Sequence, residues 1–292
     1  MSEFGITYTL TTPGGTITFN PSPSNQDGLY LSDVQGIDGG AVRGSVVPLA
    51  QRDGAFVFNS LRDAAYPTLS GFSRAATLAT RTTLFDNLMQ ACDSIRPADG
   101  TLSWTPSGST ARSLTVRLIG PVQVSSGAGI LKSFQVQLVA ASPFPVGGAS
   151  VAGVSSLALL GGALAFPFTF PFTFGDQSAG TATITPGGNH DSFPVLVLTG
   201  PLSSPIFTNQ TTGKLLSLPG LFVAAGSTLT VDMLNQTIDL NVAGNSQIRF
   251  MDVAASDFWA LSAGVANQVR VSGGNSDVPT SCQITWRPSW VA

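Results

Sequence analysis

The sequence contains little charge. Only 10% of its 292 residues are Asp, Glu, Lys or Arg, compared with about 25% in an average soluble domain. The hydrophobic content of 43% is ordinary, so the chain is not expected to be disordered. Its polarity comes mainly from Ser, Thr, Asn, Gln and Gly. Because neutral polar surfaces pack against protein at little desolvation cost, this composition favours extensive contacts between subunits.

The scarcity of basic residues excludes one class of partner. Up to Lys132 the chain carries nine acidic and nine basic residues, and beyond it seven aspartates accompany four basic residues. Neither half has the basic excess that phosphate neutralisation requires. We therefore expect no direct nucleic-acid recognition, and docking on an anionic membrane surface is disfavoured for the same reason.

One long uncharged stretch raises the question of membrane insertion. No charge occurs in residues 133–175, and residues 149–166 are apolar and long enough to span a bilayer. Glycines and nearby prolines interrupt this stretch, and no cluster of Lys or Arg flanks it. We therefore interpret it as a strand plus an interdomain connection and expect no membrane insertion. No basic and apolar leader pattern opens the chain, so no signal peptide is expected.

Cysteine and histidine are almost absent. Cys92 and Cys282 fall one in each predicted domain, where a disulfide would need close apposition of separately folded units, so both are expected to be free thiols. Two isolated cysteines and one histidine cannot form a zinc set, and no calcium-loop motif occurs. No metal ion or cofactor is predicted.

The same scarcity limits catalysis. His190 is the only histidine and lies in a Gly-Gly-Asn-His-Asp turn with no nucleophile motif nearby. Glu3 is the only glutamate, and nothing selects one aspartate pair above the others. We predict no catalytic residues and no enzymatic activity. A hydrolase that depends on His190 or on an aspartate pair remains an alternative.

A tandem repeat at residues 166–175, FPFTFPFTFG, separates two strand-rich halves. We predict an N-terminal domain at 1–146, a linker or connecting strand at 147–165 and a C-terminal β domain at 166–292. Period-two alternation and turn residues predict strands in the first domain: 6–10, 16–19, 29–34, 55–58, 66–72, 102–104, 113–119 and 130–139. The first two strands read as a hairpin.

One helix is predicted in the first domain, at residues 80–94. Its apolar positions fall on one helical face: Leu84, Phe85, Leu88, Met89, Ala91 and Cys92. The pair Arg96-Pro97 follows this stretch and stops the helix. A single helix can cover one face of a sheet, so we predict a β-sandwich-like domain with one helix, whose apolar stripe serves core packing.

The second domain reads as all strand and turn. We predict strands at 182–185, 195–199, 205–208, 215–218, 228–234, 246–250, 267–272 and 282–287. Many short strands at regular spacing indicate a sandwich or jelly roll. The fold class is therefore mainly β.

Aromatic residues near the C-terminal end leave two interpretations of the second domain open. Trp259, Trp286 and Trp290 cluster near its end, and jelly rolls often present aromatic rings to sugars, yet a sandwich also needs large aromatics inside. Alternation over residues 284–286 favours a core position for Trp286. Trp259 and Trp290 are kept as possible contacts for a host-surface glycan.

An ordered set of motifs resembles the distal tail protein family of long-tailed bacteriophages, the siphophages. In the first half the motifs are residues 36–38 before Val42-Arg43, 53–54, the helix with Arg81, 99–104, 112–117 and 134–143; in the second they are 205–209 with 212–213, 225–232 and 258–264. Each fragment alone is a turn residue beside a strand. Their common order carries the resemblance over nearly the whole chain. Ala263 stands where relatives often have proline, which affects only the local turn.

The resemblance implies a structural role at the phage tail tip. It implies a ring-forming N-terminal belt domain and a peripheral C-terminal sandwich similar to galectins or carbohydrate-binding modules. The ring is usually hexameric. Expected partners are other copies of the chain, the tail tube protein, the tape measure protein and the tail-associated hub or fibre proteins. The expected location is the virion tail tip, after assembly in the bacterial cytoplasm. The alternative function is a receptor-recognition protein that binds glycans through the C-terminal sandwich.

Overall fold

A computed structural model describes residues 5–22, 26–37, 39–125, 131–147, 155–159, 180–274 and 280–291. These residues divide into two compact units. The first unit takes the described residues up to Gly147 together with Trp290 and Val291, and the second takes those from Ser155 to Ser289. The repeat at 166–175 and most of the predicted linker lie outside the described residues, so the predicted boundaries stay a prediction.

The first unit is built mainly from strands. Its elements are β1 (Tyr8–Thr12), β2 (Gly15–Phe19), β3 (Gly28–Gln35), β4 (Val42–Arg43), β5 (Val46–Pro48), β6 (Ala55–Val57), β7 (Leu61–Arg62), β8 (Thr68–Arg74), α1 (Leu78–Ser94), β9 (Gly100–Trp104), β10 (Arg112–Leu118), β11 (Gln123–Val124), β12 (Lys132–Val139) and β13 (Val146–Gly147). Nine strands form one sheet in the order β11-β12-β8-β3-β2-β1-β9-β10-β13. An additional antiparallel pairing of β10 with β12 closes this sheet on itself.

Strand alternation explains the core of the first unit. Strands β1 and β2 pair antiparallel with Tyr8 opposite Phe19 and Leu10 opposite Ile17. All four side chains are buried in the core, because residues two apart on a strand share one face. The predicted hairpin is confirmed.

Helix α1 covers this core. The side chain of Thr77 caps its first turn by accepting a hydrogen bond from the Thr80 N–H at 3.1 Å. The helix buries Phe85, Leu88, Ala91 and Cys92, which confirms the predicted helix and most of its apolar stripe. The placement of Met89 on the buried stripe was wrong: its side chain is 41% exposed, since it lies at the edge of the helical face that meets the sheet.

The second unit contains two facing sheets. Its strands are β14 (Ser155–Leu159), β15 (Gly180–Ile184), β16 (Val195–Thr199), β17 (Leu202–Asn209), β18 (Lys214–Ser217), β19 (Phe222–Val223), β20 (Thr228–Asp232), β21 (Thr237–Leu240), β22 (Asn267–Gly274) and β23 (Thr280–Thr285). One sheet has the order β14-β23-β16-β20-β21, and the other has β15-β22-β17-β18 with β19 beside β17. Their inward-facing side chains form one hydrophobic core, so the mainly β fold class is confirmed.

The segment between β21 and β22 covers one edge of each sheet. Along β21, the Gln247 N–H donates to the Ile238 carbonyl oxygen at 2.7 Å. Along β18, the N–H groups of Asp252 and Asp257 donate to the carbonyl oxygens of Ser217 and Leu215. These bonds occupy edge groups that would otherwise be open to another strand.

The strand predicted at 246–250 was therefore wrong. Residues Ile248–Phe250 form a 3₁₀ helix. Gly244 adopts a positive φ of 86° and turns the chain, and the segment then binds across the edge of β21 instead of extending as a further strand.

The last described residues return to the first unit. The Trp290 N–H donates to the Pro145 carbonyl oxygen at 2.9 Å. The guanidinium carbon of Arg112 lies 5.0 Å from the centroid of the Trp290 ring, a cation–π geometry. The predicted C-terminal domain at 166–292 includes Trp290, whereas the structure groups this residue with the first unit.

Candidate functional site

The most unusual surface is a hairpin that projects from the first unit, here called the arm (residues 41–62). Two short antiparallel ladders build it: β4 with β7, and β5 with β6. The Leu49 N–H donates to the Gly54 carbonyl oxygen at 3.0 Å and closes the tip. Among the described residues, these four strands pair only with one another.

Both faces of the arm are apolar. Val46 lies opposite Val57, and Val47 lies opposite Phe56, so the two pairs occupy opposite faces of the ladder. Seven large apolar side chains of the arm are exposed: Val42, Val46, Val47, Phe56, Val57, Phe58 and Leu61. Val57 is the most exposed of them at 77%. The arm therefore has no hydrophobic core of its own.

The base of the arm is held closely. The Asp63 N–H donates to the Ala41 carbonyl oxygen at 2.8 Å. A Cβ atom at Gly40 would overlap the Asp63 carbonyl oxygen, so only glycine allows this close approach. Beyond the base, Ala65 and Ala140 exchange two main-chain hydrogen bonds, of 3.0 and 2.8 Å, and attach the arm to the body of the unit.

An isolated two-stranded hairpin is only marginally stable in water, and a contiguous exposed apolar surface commonly marks a protein interaction site. The arm combines both properties. Its charged side chains, Arg43, Arg52, Asp53 and Arg62, form no ion pair within the described part of the chain. The arrangement is suited to binding another protein surface, with apolar contacts at the centre and charges beside them.

Sequence reasoning found only part of this site. It predicted a strand at 55–58 but missed β4, β5 and β7. An available signal was Asp53-Gly54 between the apolar runs at 46–49 and 55–58, because an Asp-Gly pair flanked by apolar residues indicates a hairpin turn.

The two tryptophans predicted as glycan contacts are buried. Trp259 is 1% exposed and its indole Nε1–H donates to the Phe207 carbonyl oxygen at 3.2 Å. Trp290 is 8% exposed and packs over Arg112. Stacking on a sugar needs an open ring face, and neither ring presents one in this structure.

The sole histidine lies where the chain turns. The His190 N–H donates to the Ser289 carbonyl oxygen at 3.1 Å, and the neighbouring Asp191 carboxylate accepts from the Ala263 N–H at 3.2 Å. These contacts join the turn at 189–191 to two other segments of the second unit and have the character of structural hydrogen bonds.

Cys92 and Cys282 are free and buried, which confirms the predicted free thiols. Burial raises the pKa of each thiol to about 12, because the thiolate would lose its hydration. Within the described ranges, no group of three His, Cys, Asp or Glu residues is placed to hold a metal ion. No helix in that part of the chain is long and apolar enough to cross a membrane.

Comparisons with known proteins show similarity in sequence to one family and in fold to solved structures. Residues 187–290 match the family described as siphovirus-type tail component, C-terminal domain. The crystal structure of the SPP1 Dit protein, described as a paradigm of the hub adsorption apparatus in phages that infect Gram-positive bacteria, is similar over 97% of this chain and 98% of that chain, with a TM-score of 0.62 and 12% identity. The phage P2 baseplate in its activated conformation with Ca has a chain that is similar over 97% of this chain and 98% of its own, with a TM-score of 0.49 and 10% identity. None of the curated proteins that were compared matches the sequence.

The sequence match covers most of the second unit, and the structural similarity to SPP1 Dit extends the shared fold to nearly the whole chain. The resemblance to siphophage distal tail proteins is thereby supported: residues 187–290 are similar to the C-terminal domain of siphovirus-type tail components, and nearly the whole chain shares the fold of SPP1 Dit.

Proposed function

We propose that this protein is a phage tail component that forms a ring at the tail tip and connects the tail tube to the host-adsorption apparatus. It works by binding copies of itself and neighbouring tail proteins, without catalysing a reaction. The observation that carries this proposal is the arm, whose apolar faces have no partner among the described residues of the isolated chain.

The size of the arm's apolar surface supports self-assembly. Fully burying one Val, Leu or Phe side chain contributes about 1.5–3 kcal/mol. Seven such side chains are exposed on the arm, at 45–77% of their area, so covering them contributes favourably against the roughly 4–15 kcal/mol that association costs. A contact between two different patches of identical chains repeats head to tail and closes into a ring if the rotation allows it. Six copies are expected from the resemblance.

The expected neighbours follow from this position. The tail tube protein would bind above the ring, the tape measure protein would pass through its lumen, and hub or fibre proteins would bind below. The low charge of the chain suits broad neutral contacts with these partners.

Light scattering after size-exclusion chromatography tests the proposal, together with negative-stain images of the purified full chain. We expect a closed ring for the native sequence and a monomer for Phe56→Asp, since a charge on the arm would have to be desolvated on binding. Val253→Asp is the control, because Val253 is an exposed apolar residue of the second unit.

A native chain that stays monomeric at high concentration would contradict the proposal. Rings that persist unchanged in Phe56→Asp would show that another surface drives assembly.

A further inference from the structure

We propose that the arm of one copy docks in a groove on the first unit of the next copy, and this inference rests on the proposed ring. The groove, here called the α1 groove, lies between the C-terminal half of α1 and the segment after β10. It has a volume of about 540 Å³ and is lined by Met89, Cys92, Arg96, Leu118, Ile119 and Val122, among others. It therefore offers a recessed apolar surface on the same chain that carries the protruding one.

The floor and the rim of the α1 groove differ. Leu118 and Val122 pack against the core, and Cys92 is buried. Met89 and Ile119 remain 41% and 55% exposed at the rim. Apolar side chains left exposed around an apolar floor gain most from being covered by another apolar surface.

The α1 groove is preformed by main-chain bonds. The Leu118 N–H donates to the Ile95 carbonyl oxygen, and the Ile119 N–H donates to the Gln137 carbonyl oxygen, both at 3.2 Å. These bonds hold the end of β10 between the helix terminus and β12. A groove fixed in this way needs little ordering when a partner binds.

The charges beside the two surfaces are complementary. Asp86, Met89 and Asp93 are three and four residues apart on α1, so they lie on one helical face. Arg43 and Arg52 of the arm can approach these carboxylates while Val47 or Phe56 covers Met89. Asp93 already pairs with Arg96 at 3.1 Å, but both side chains are well exposed. Such a surface pair is weak. On docking, Asp93 can pair instead with Arg52, and Arg96 with Asp53, at the tip of the arm.

The occupant is a second copy because the arm does not cover its own groove. In the single chain the apolar side chains of the arm remain exposed. A protruding patch and a recessed patch on one chain form the two halves of a heterologous contact. Docking each arm in the next groove therefore repeats in one direction around a ring.

Cross-linking between copies tests the proposal. Val47→Cys and Ile119→Cys chains carrying different tags are expressed together, since Val47 lies on the face of the arm that would cover Met89, and the purified assembly is treated with a short bismaleimide. We expect a covalent dimer that contains both tags. Either variant expressed alone should give only a background level of covalent dimer, because the native thiols are buried. Leu131→Cys replaces Ile119→Cys in the control, since Leu131 is an exposed residue of the first unit that does not line the groove.

The outcomes separate this inference from the proposed ring. Rings that cross-link through Leu131→Cys as readily as through Ile119→Cys would overturn arm docking in the groove and leave the ring intact. Rings with no cross-link at either position would overturn it too. A chain that forms no assembly would contradict the proposed function itself.

A second measurement uses the exposed rim. Ile119→Asp should weaken assembly at least about tenfold, which corresponds to about 1.4 kcal/mol, with an unchanged Tm because the side chain lies outside the core. Leu131→Asp should leave assembly unchanged. Equal assembly of the two variants would overturn the assignment of the groove.

Discussion

The indole Nε1–H of Trp259 reaches the main-chain carbonyl oxygen of Phe207 in the core of the second unit, at a distance of 3.2 Å. Phe207 belongs to the central strand β17, whereas Trp259 lies outside the named strands. This bond fixes the loop that carries Trp259 against the sheet and gives the residue a structural role.

Replacing Trp259 should therefore affect stability. We expect Trp259→Ala to lower the free energy of unfolding by about 3–5 kcal/mol, because it removes a large buried ring and leaves a cavity. Trp259→Phe should cost less, since it keeps most of the apolar contact and loses the hydrogen bond. Urea unfolding measures both. Glycan binding that is lost in a Trp259→Ala chain of undiminished stability would support the receptor-recognition alternative.

A buried amide supports the same loop. Asn267 is fully buried, and its Nδ2 donates to the carbonyl oxygens of Ser262 and Val265 at 2.9 and 2.8 Å. Its Oδ1 accepts from the Ser262 N–H at 2.9 Å. Leaving a buried polar group unpaired costs about 1–3 kcal/mol, so Asn267→Ala should destabilise the chain by at least that amount.

Thermal or urea unfolding of Asn267→Ala provides the measurement, with Asn235→Ala as the control at an exposed asparagine. Equal stability of the two variants would mean that the buried amide network contributes nothing.

The close approach at the base of the arm gives a third prediction. Gly40→Ala should displace the Ala41–Asp63 pairing, because its Cβ would overlap the Asp63 carbonyl oxygen. We expect weaker assembly in light scattering together with faster hydrogen exchange in the arm. Gly5→Ala is the control, since its Cβ would meet open space. Assembly of Gly40→Ala at the native level would show that the orientation of the arm is not critical.

The buried thiols give a prediction about pH. Burial raises the pKa of Cys92 and Cys282 from 9.0 to about 12, so the folded chain holds these protons more tightly than the unfolded chain. The resulting stability is fully present below about pH 9 and is lost as the pH rises toward about 12. A Cys92→Ala/Cys282→Ala chain should lose less stability over this range.

Thiol labelling at neutral pH checks the same property. The native chain should resist labelling, whereas the unfolded chain should expose both thiols; the Ile119→Cys variant provides an accessible thiol for comparison. Rapid labelling of the native chain at Cys92 would show that the floor of the α1 groove opens in solution.

The sequence predicts those elements whose signals are local. Strand 195–199 has the predicted bounds, because an apolar run ends at Gly200-Pro201. The predicted helix begins only two residues late relative to α1. Strand β5 was missed because it contains Pro48, which is tolerated on an edge strand but weakens the local signal.

Long-range contacts explain most of the features that the sequence does not predict. Trp259 is buried because Phe207, 52 positions away, offers a carbonyl oxygen, and no local alternation reports that contact. Trp290 packs on Arg112 of the first unit although its neighbours in sequence belong to the second. The projection of the arm also depends on the close approach of Gly40 to Asp63, which is a tertiary feature.

The return of Trp290 to the first unit has a topological consequence. The polypeptide passes from the first unit to the second after Gly147, and after Ser289 the described residues Trp290 and Val291 belong again to the first unit. A protease that cut once between Gly147 and Ser155 would leave the second unit joined covalently only to this short segment. The Trp290–Pro145 hydrogen bond and the stacking of Arg112 on Trp290 would then be non-covalent contacts that keep the segment on the first unit.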